Sequence, residues 1–296
     1  MPKVKANGLE FEYEAFGDHA NPPLLLVMGL GAQMTTWPEP FCLMLANRGF
    51  YVVRYDNRDV GLSTRLDHLG VPDPSQVFAR QIPPAYTIDD MADDAAAILD
   101  ALEIAPAHVV GASMGGFIVQ ALATRYPEKV LSLTSFMSDL GGEDLVPAAP
   151  EVVGLILKPP PRDREGLIQH GIELSRVIWG PRYFDEERAR TTRTAAVDRA
   201  VSIEGTARQA GAAVVRRSRR AALAGLKVPA LVIHGDADPL VPFENGKRTA
   251  AAIPGARLLV LPEVGHDLPP AFYETVADAI AEVASSSPAR EAAPAS

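Results

Sequence analysis

Apolar residues along the chain fall into two alternating patterns. Unbroken apolar runs stand at 22–29 (PPLLLVMG), 50–56 (FYVVRYD), 107–112 (AHVVGA), 228–235 (VPALVIHG) and 256–262 (ARLLVLP). Short runs of this kind, bounded by proline or glycine, predict strands buried on both faces. Between them the spacing becomes helical. Residues 87–104 open on Thr87 as an N-cap, carry acids in the first turns, and repeat Met91, Ala95, Ile98 and Leu102 on one face. MGGFIVQALATRYPEKV predicts a helix stopped before Pro127, VLSLTSFMS a strand, and 243–253 and 270–284 two further helices. At the start, Val4–Ala6 and Leu9–Phe16 flank Asn7-Gly8, a strong hairpin signal. Strands alternating with helices predict an α/β fold. Its sheet is mostly parallel, covered by helices on both faces, with an antiparallel edge at the hairpin.

The rhythm breaks from about 139 to 222. LGGEDLVPAAPEVVG and Pro159-Pro160-Pro161 lead into segments that are only helix-like, among them REGLIQHGIELSRVIWG and EERARTTRTAAVDRAVS. This predicts a core at 1–138 and 223–285, a helical cap or lid at 139–222, and a disordered tail at 286–296, where SSSPAREAAPAS has no apolar period.

Composition narrows the partners. A net charge of −9 argues against nucleic acid and anionic membranes, and the basic cluster Arg216, Arg217, Arg219 and Arg220 reads as a solvated helix face. No signal peptide or membrane span is visible, and the one cysteine, Cys42, sits in a helix-like FCLMLANRGF as a packing residue. These features lead to the expectation of a cytoplasmic protein; oligomeric state is not legible.

The candidate chemistry centres on HVVGASMGGF at 108–117. Gly111-x-Ser113-x-Gly115 gains meaning from its setting, directly after a buried strand and before a helix. The chain must reverse sharply there, lifting the hydroxyl into a cleft, and the helix beginning at Met114 aims free N–H groups at any oxyanion formed beside it. A serine needs a base at neutral pH. Of the six histidines, His266 in PEVGHDLP follows the last strand and is preferred; His234, ending ALVIHG, is the rival. HGDADPLVP offers Asp238 as the carboxylate orienting the base, with Asp236 as a turn cap and Asp267 as the weaker alternative. The glycines of VMGLGAQMTTW free the N–H of Leu30 to join that of Met114 in an oxyanion hole. Asp56, Asn57, Arg58 and Asp59 form a polar turn that braces loops near the site. No Cys/His cluster and no phosphate-binding glycine pattern points to a metal or organic cofactor.

Taken together, VMGLGAQMTTW, VVRYDNRDVGLST, DMADDAAAILDAL, HVVGASMGG, LVIHGDADPLVP and GHDLP resemble the α/β-hydrolase superfamily. Within it they are similar to the bacterial serine esterases of the aclacinomycin methylesterase group. The resemblance covers the core and not 139–222, and Met28-Gly29 stands where that family commonly has His-Gly. It implies Ser113, Asp238 and His266 as a triad, Leu30 and Met114 as oxyanion donors, and hydrolysis of small to medium acyl or methyl esters through an acyl-serine. It implies no cofactor and a small-molecule ester as the partner. Carbon–carbon bond hydrolysis or perhydrolysis on the same triad, and a non-catalytic ligand receptor, are the alternatives. Trp37 and Trp179 are expected to line the pocket.

Overall fold

The computed structural model describes residues 2–142 and 145–287. The tail expected to be disordered lies, from 288 on, outside the described residues. Eight strands form one sheet: β1 (Lys3–Ala6), β2 (Leu9–Phe16), β3 (Pro23–Val27), β4 (Tyr51–Tyr55), β5 (Ala107–Ala112), β6 (Val130–Phe136), β7 (Ala230–Gly235) and β8 (Arg257–Leu261). Their order is β1-β2-β4-β3-β5-β6-β7-β8; β1/β2 and β2/β4 pair antiparallel, and every other neighbouring pair is parallel.

Every residue of β3, β5 and β7 is buried, and successive side chains serve opposite faces. Leu25, Val27, Val109 and Val232 point into one core layer, while Leu24, Leu26, Val110, Leu231 and Ile233 point into the other. The connecting helices are α1 (Glu39–Ala46), α2 (Pro74–Phe78), α3 (Ile88–Ala101) and α4 (Met114–Arg125). Between β6 and β7 run α5 (Pro150–Leu157), α6 (Arg164–Ile178), α7 (Glu186–Arg199), α8 (Ile203–Val214) and α9 (Arg220–Leu223). The chain closes with α10 (Phe243–Ala252) and α11 (Tyr273–Ser285). Helices α3 and α4 cover the first layer, through residues such as Met91, Ile98, Ile118 and Leu122. The second is covered by α1 and α11, through Phe41, Leu45, Val276 and Ile280. Thr87 caps α3 in a reciprocal box with Asp90. Cys42 is buried, and burial pushes its thiol pKa up to about 12, so it stays an inert packing group.

Arg216, Arg217 and Arg219 do not share a helix, because α8 stops at Val214 and α9 starts only at Arg220. They occupy a connector that ties back to the core. Arg216 pairs with Asp139 at 2.5 Å with its guanidinium over Phe117, and Arg219 donates to Asp89 at 2.6 Å. The solvated helix face expected there is replaced by a latch.

His108 on β5 illustrates what burial does to a titratable group. It is 5% exposed, lies 2.8 Å from Ser132 Oγ through Nδ1, and meets Phe50 edge-on. Burial lowers its pKa from 6.5 to about 4. The unfolded chain therefore binds a proton between those values that the folded one does not. His108 leaves stability undiminished above about pH 6.5 and costs up to about 3 kcal/mol as pH falls toward 4. The melting temperature should drop through this window, and drop less in a His108→Gln variant. Equal slopes for the two proteins would remove His108 as the cause.

Candidate active site

Ser113 links β5 to α4 with φ 56° and ψ −121°, a strained conformation for a residue with a side chain. Surrounding hydrogen bonds hold it there. Its N–H donates to the Phe136 carbonyl at 2.8 Å, and its own carbonyl accepts from Gly116 N at 2.8 Å and Ser138 Oγ at 2.9 Å. The flanking glycines answer to crowding rather than to φ. A Cβ on Gly111 would stand 2.1 Å from the Gly115 carbonyl oxygen, and one on Gly115 would stand 2.1 Å from that of Val27. Backbone closes both positions, so the turn can be this sharp only with glycine.

The loop after β3 passes directly against the serine. A Cβ on Gly29 would lie 3.0 Å from Ser113 Cβ and 3.4 Å from Oγ. Within this loop, Ala32 N donates to the Gly29 carbonyl at 3.2 Å and Gly31 N donates to Gln209 Oε1 at 2.8 Å. The amides of Leu30 and Met114 donate to no acceptor among the described residues. Both belong to the two backbone segments that meet at Ser113, and Met114 opens α4, where helix N–H groups favour negative charge.

Asp238 follows β7 and is held at every oxygen. Oδ1 accepts from Leu240 N and Val241 N, each at 2.9 Å, and Oδ2 accepts from His266 Nδ1 at 2.7 Å. Burial alone would raise its pKa. The facing His266, with hydrogen bonds from His234 and His266, outweighs that and holds the carboxyl at about 2. The carboxylate can only accept, so Nδ1 of His266 carries the hydrogen and Nε2 keeps its lone pair. The His266 loop is anchored to the end of α6: His266 N donates to the Ile178 carbonyl, and Gly265 N donates to that of Trp179 at 3.1 Å. Next to it, Asp267 is paired with Arg188 of α7, whose guanidinium lies 3.9 Å over the Trp179 ring.

Asp238 and His266 are thus bonded to each other. Ser113 stands at the same carboxyl rim of the sheet, but its Oγ makes no hydrogen bond among the described residues, His266 included. Such contacts commonly tighten only when substrate is bound. His234 has a separate place. Its Nε2 donates to the Val241 carbonyl at 2.7 Å and lies 3.5 Å from Asp238 Oδ2, while its buried Nδ1 has no partner among the described residues. Asp236 accepts from Glu263 N at 2.6 Å, so it fastens the loop after β8.

The two tryptophans, expected to line a pocket, both lie in buried apolar layers. Trp37, two residues before α1, is 2% exposed and stacks on Phe41 of that helix. Trp179 is 6% exposed and sits with Ile168, Ile172 and Ala189 in the layer formed by the inserted helices. The polar turn after β4 does brace the serine's surroundings. Asp56 accepts from Met34 N at 2.7 Å and pairs with Arg199, and Asn57 donates to the Met28 carbonyl at 2.8 Å. Arg58 pairs with Asp94 and Asp59 with Arg208. The side chains reaching these loops from the inserted helices, Arg199, Arg208 and Gln209, carry no local sequence signature.

Among the described residues no group of His, Cys, Asp and Glu could hold a metal ion, and no helix is long and apolar enough to cross a membrane. Residues 22–269 match the model of the α/β hydrolase fold family. The chain is 33% identical over 287 residues to rhodomycin D methylesterase DauP of Streptomyces sp. strain C5, covering 90% of this chain and 92% of that protein. It superposes on the enol-lactonase of Burkholderia xenovorans LB400 with a TM-score of 0.72 at 26% identity, covering 95% of this chain and 97% of that one. The meta-cleavage product hydrolase of Pseudomonas fluorescens IP01 shares the fold at a TM-score of 0.75 and 22% identity, covering 96% and 97%.

Proposed function

Because the chain belongs to the α/β-hydrolase family and is an enzyme that hydrolyses carboxylic esters, we propose that Ser113 is its nucleophile, His266 its base and Asp238 the carboxylate that orients the base. We propose further that Leu30 and Met114 supply the oxyanion donors, and that the helices of 139–222 form a cap over the site. The observation that carries this reading is the Asp238–His266 bond at 2.7 Å, which leaves Nε2 as the only basic nitrogen of the ring.

The reaction then runs in two halves. Ser113 Oγ attacks the ester carbonyl carbon while its proton passes to His266 Nε2. The carbonyl oxygen becomes an anion between the Leu30 and Met114 amides, each such donor being worth about 3 kcal/mol at the transition state. His266 returns the proton to the departing alkoxide, and the alcohol leaves an acyl-serine. Water, deprotonated by the same nitrogen, attacks the acyl carbon, and the acid is released with Ser113 restored.

The substrate we propose is a methyl ester of a carboxylic acid, supported by 33% and 32% identity to two proteins named rhodomycin D methylesterase. A cytoplasmic setting suits its single cysteine, a buried thiol. Purified enzyme incubated with methyl, ethyl and butyl esters of one aromatic acid should release methanol fastest. Turnover that increases with the length of the alcohol, or no hydrolysis of any methyl ester, would contradict the methyl-ester reading.

A further inference from the structure

The loop that carries His266 is mounted on the inserted helices at three successive residues. Gly265 N donates to the Trp179 carbonyl at 3.1 Å and His266 N to the Ile178 carbonyl at 2.5 Å. The loop thus takes two carbonyls that the end of α6 leaves without helical partners. At the third residue, the Asp267 carboxylate meets the fork of Arg188 on α7, with Nη1 donating to Oδ1 at 3.3 Å and Nη2 to Oδ2. The approach is as close as backbone permits, since a Cβ on Gly265 would stand 2.2 Å from the Ile178 carbonyl oxygen.

The bond from His266 Nδ1 to Asp238 fixes the imidazole at one point only. A ring held at one atom can pivot about it, so the direction in which Nε2 faces also depends on where the Cα stands. That Cα is set by the N–H bond of His266 itself and by its two neighbours, each of which is held from α6 or α7. Arg188 ties these supports together. Its guanidinium pairs with Asp267 and lies 3.9 Å from the ring centroid of Trp179, the residue whose carbonyl holds Gly265. The Asp267 side chain is only 10% exposed; burial pushes its carboxyl up while Arg188 draws it down. Deprived of the arginine, this carboxylate is left uncompensated, and turning it toward water would pull on the peptide it shares with His266.

We infer that Arg188 is a positioning residue for the base: it clamps the end of α6 and the 265–267 loop together, so that the Cα of His266 is fixed and Nε2 is aimed at Ser113. This rests on the proposed function, since it presumes that His266 is the base. The nucleophile and the orienting carboxylate then stand on the sheet, while the base takes its position from the inserted helices as well.

The test compares Arg188→Leu with the double variant Arg188→Leu/Asp267→Leu, in which an apolar contact replaces the ion pair and no carboxylate is left unpaired. Each is assayed on a methyl ester and with a small p-nitrophenyl phosphonate. The phosphonate reacts with the serine oxygen as p-nitrophenolate leaves and the serine proton passes to the base, so its rate reports the base alone, without breakdown of an acyl-serine. Arg188→Leu is expected to lower kcat and the phosphonylation rate alike by about 10- to 100-fold, with KM within about threefold. The double variant should recover both rates to within about fivefold of wild type. Should Arg188→Leu not fold, Arg188→Lys, which keeps the charge but neither the fork nor the flat face over Trp179, carries the same expectation. A folded single variant with wild-type kcat and phosphonylation, or with a change in KM alone, would overturn the role of Arg188 while leaving the ester hydrolase intact. So would a double variant as slow as the single one, because the arginine would then act on the substrate and not through the loop. A wild-type enzyme that neither hydrolyses an ester nor reacts with the phosphonate would instead sink the proposed site and this inference with it.

Discussion

Alanine at position 113 is expected to lower kcat for an ester by about a million-fold in a protein that still folds. The two halves of this statement have separate grounds. On the proposed mechanism the chemistry stops because the attacking oxygen is the Ser113 hydroxyl itself. Folding survives because Ser113 Oγ has no hydrogen-bond partner among the described residues, so its removal orphans nothing. The bonds that hold the strained backbone come from Phe136, Gly116 and Ser138, and none uses the serine side chain. KM should change by no more than a few-fold, and the melting temperature should stay within a few degrees of wild type. A folded Ser113→Ala enzyme retaining more than about 1% of kcat would mean that another group attacks the ester.

Asparagine at position 238 is expected to cost about 10,000-fold in kcat. The structure says why the closest isostere fails. Oδ1 is claimed by the amides of Leu240 and Val241, both donors, so the oxygen of an asparagine carboxamide must take that side. Its NH2 group then faces His266 Nδ1, in place of the Oδ2 that accepts there at 2.7 Å. Two donors cannot share the contact, so the ring moves its hydrogen to Nε2, and the nitrogen needed to receive the serine proton is blocked. The folded protein also loses a carboxylate whose pKa lies at about 2 instead of 3.8. That contribution to stability is fully present above about pH 4 and is lost as pH falls toward 2, so the variant should be less stable than wild type at neutral pH and converge with it in acid. A near wild-type rate for Asp238→Asn would contradict the orienting role, and a pH-independent stability difference would contradict the cause assigned to the shift.

The fold was largely legible because its information is local. A strand covered on both faces writes an unbroken apolar run, and β3, β5 and β7 do so. Asn7-Gly8 announces the hairpin through the positive φ of both residues. The candidate site was legible where chemistry coincides with an element boundary. Ser113 ends a strand between glycines that backbone contact forbids to be anything else, and Asp238 and His266 follow the strands β7 and β8.

What the sequence hid is long-range. Gln209 reaching Gly31, and Gln33 held by Ala196, Ala200 and Arg199, join residues more than 160 positions apart. No spacing rule couples them, and a glutamine on a helix is ordinarily a solvated residue. The arginines at 216–220 misled for a related reason, since periodicity cannot tell where a helix has already ended. The stacking of Trp37 on Phe41 was not legible either, since an aromatic after a glycine loop carries no signal of the ring it will meet.

The most direct measurement of the central claim is capture of the covalent intermediate. Enzyme mixed rapidly with an activated ester of a slowly released acid is quenched in acid, digested and mapped by mass spectrometry. The account predicts one acyl group per chain, on the peptide containing Ser113 and on that residue, absent from Ser113→Ala and persisting longer in Asp238→Asn. An acyl group on any other residue, or continuous turnover with no acylated protein under conditions where acyl transfer to water is made rate-limiting, would contradict it.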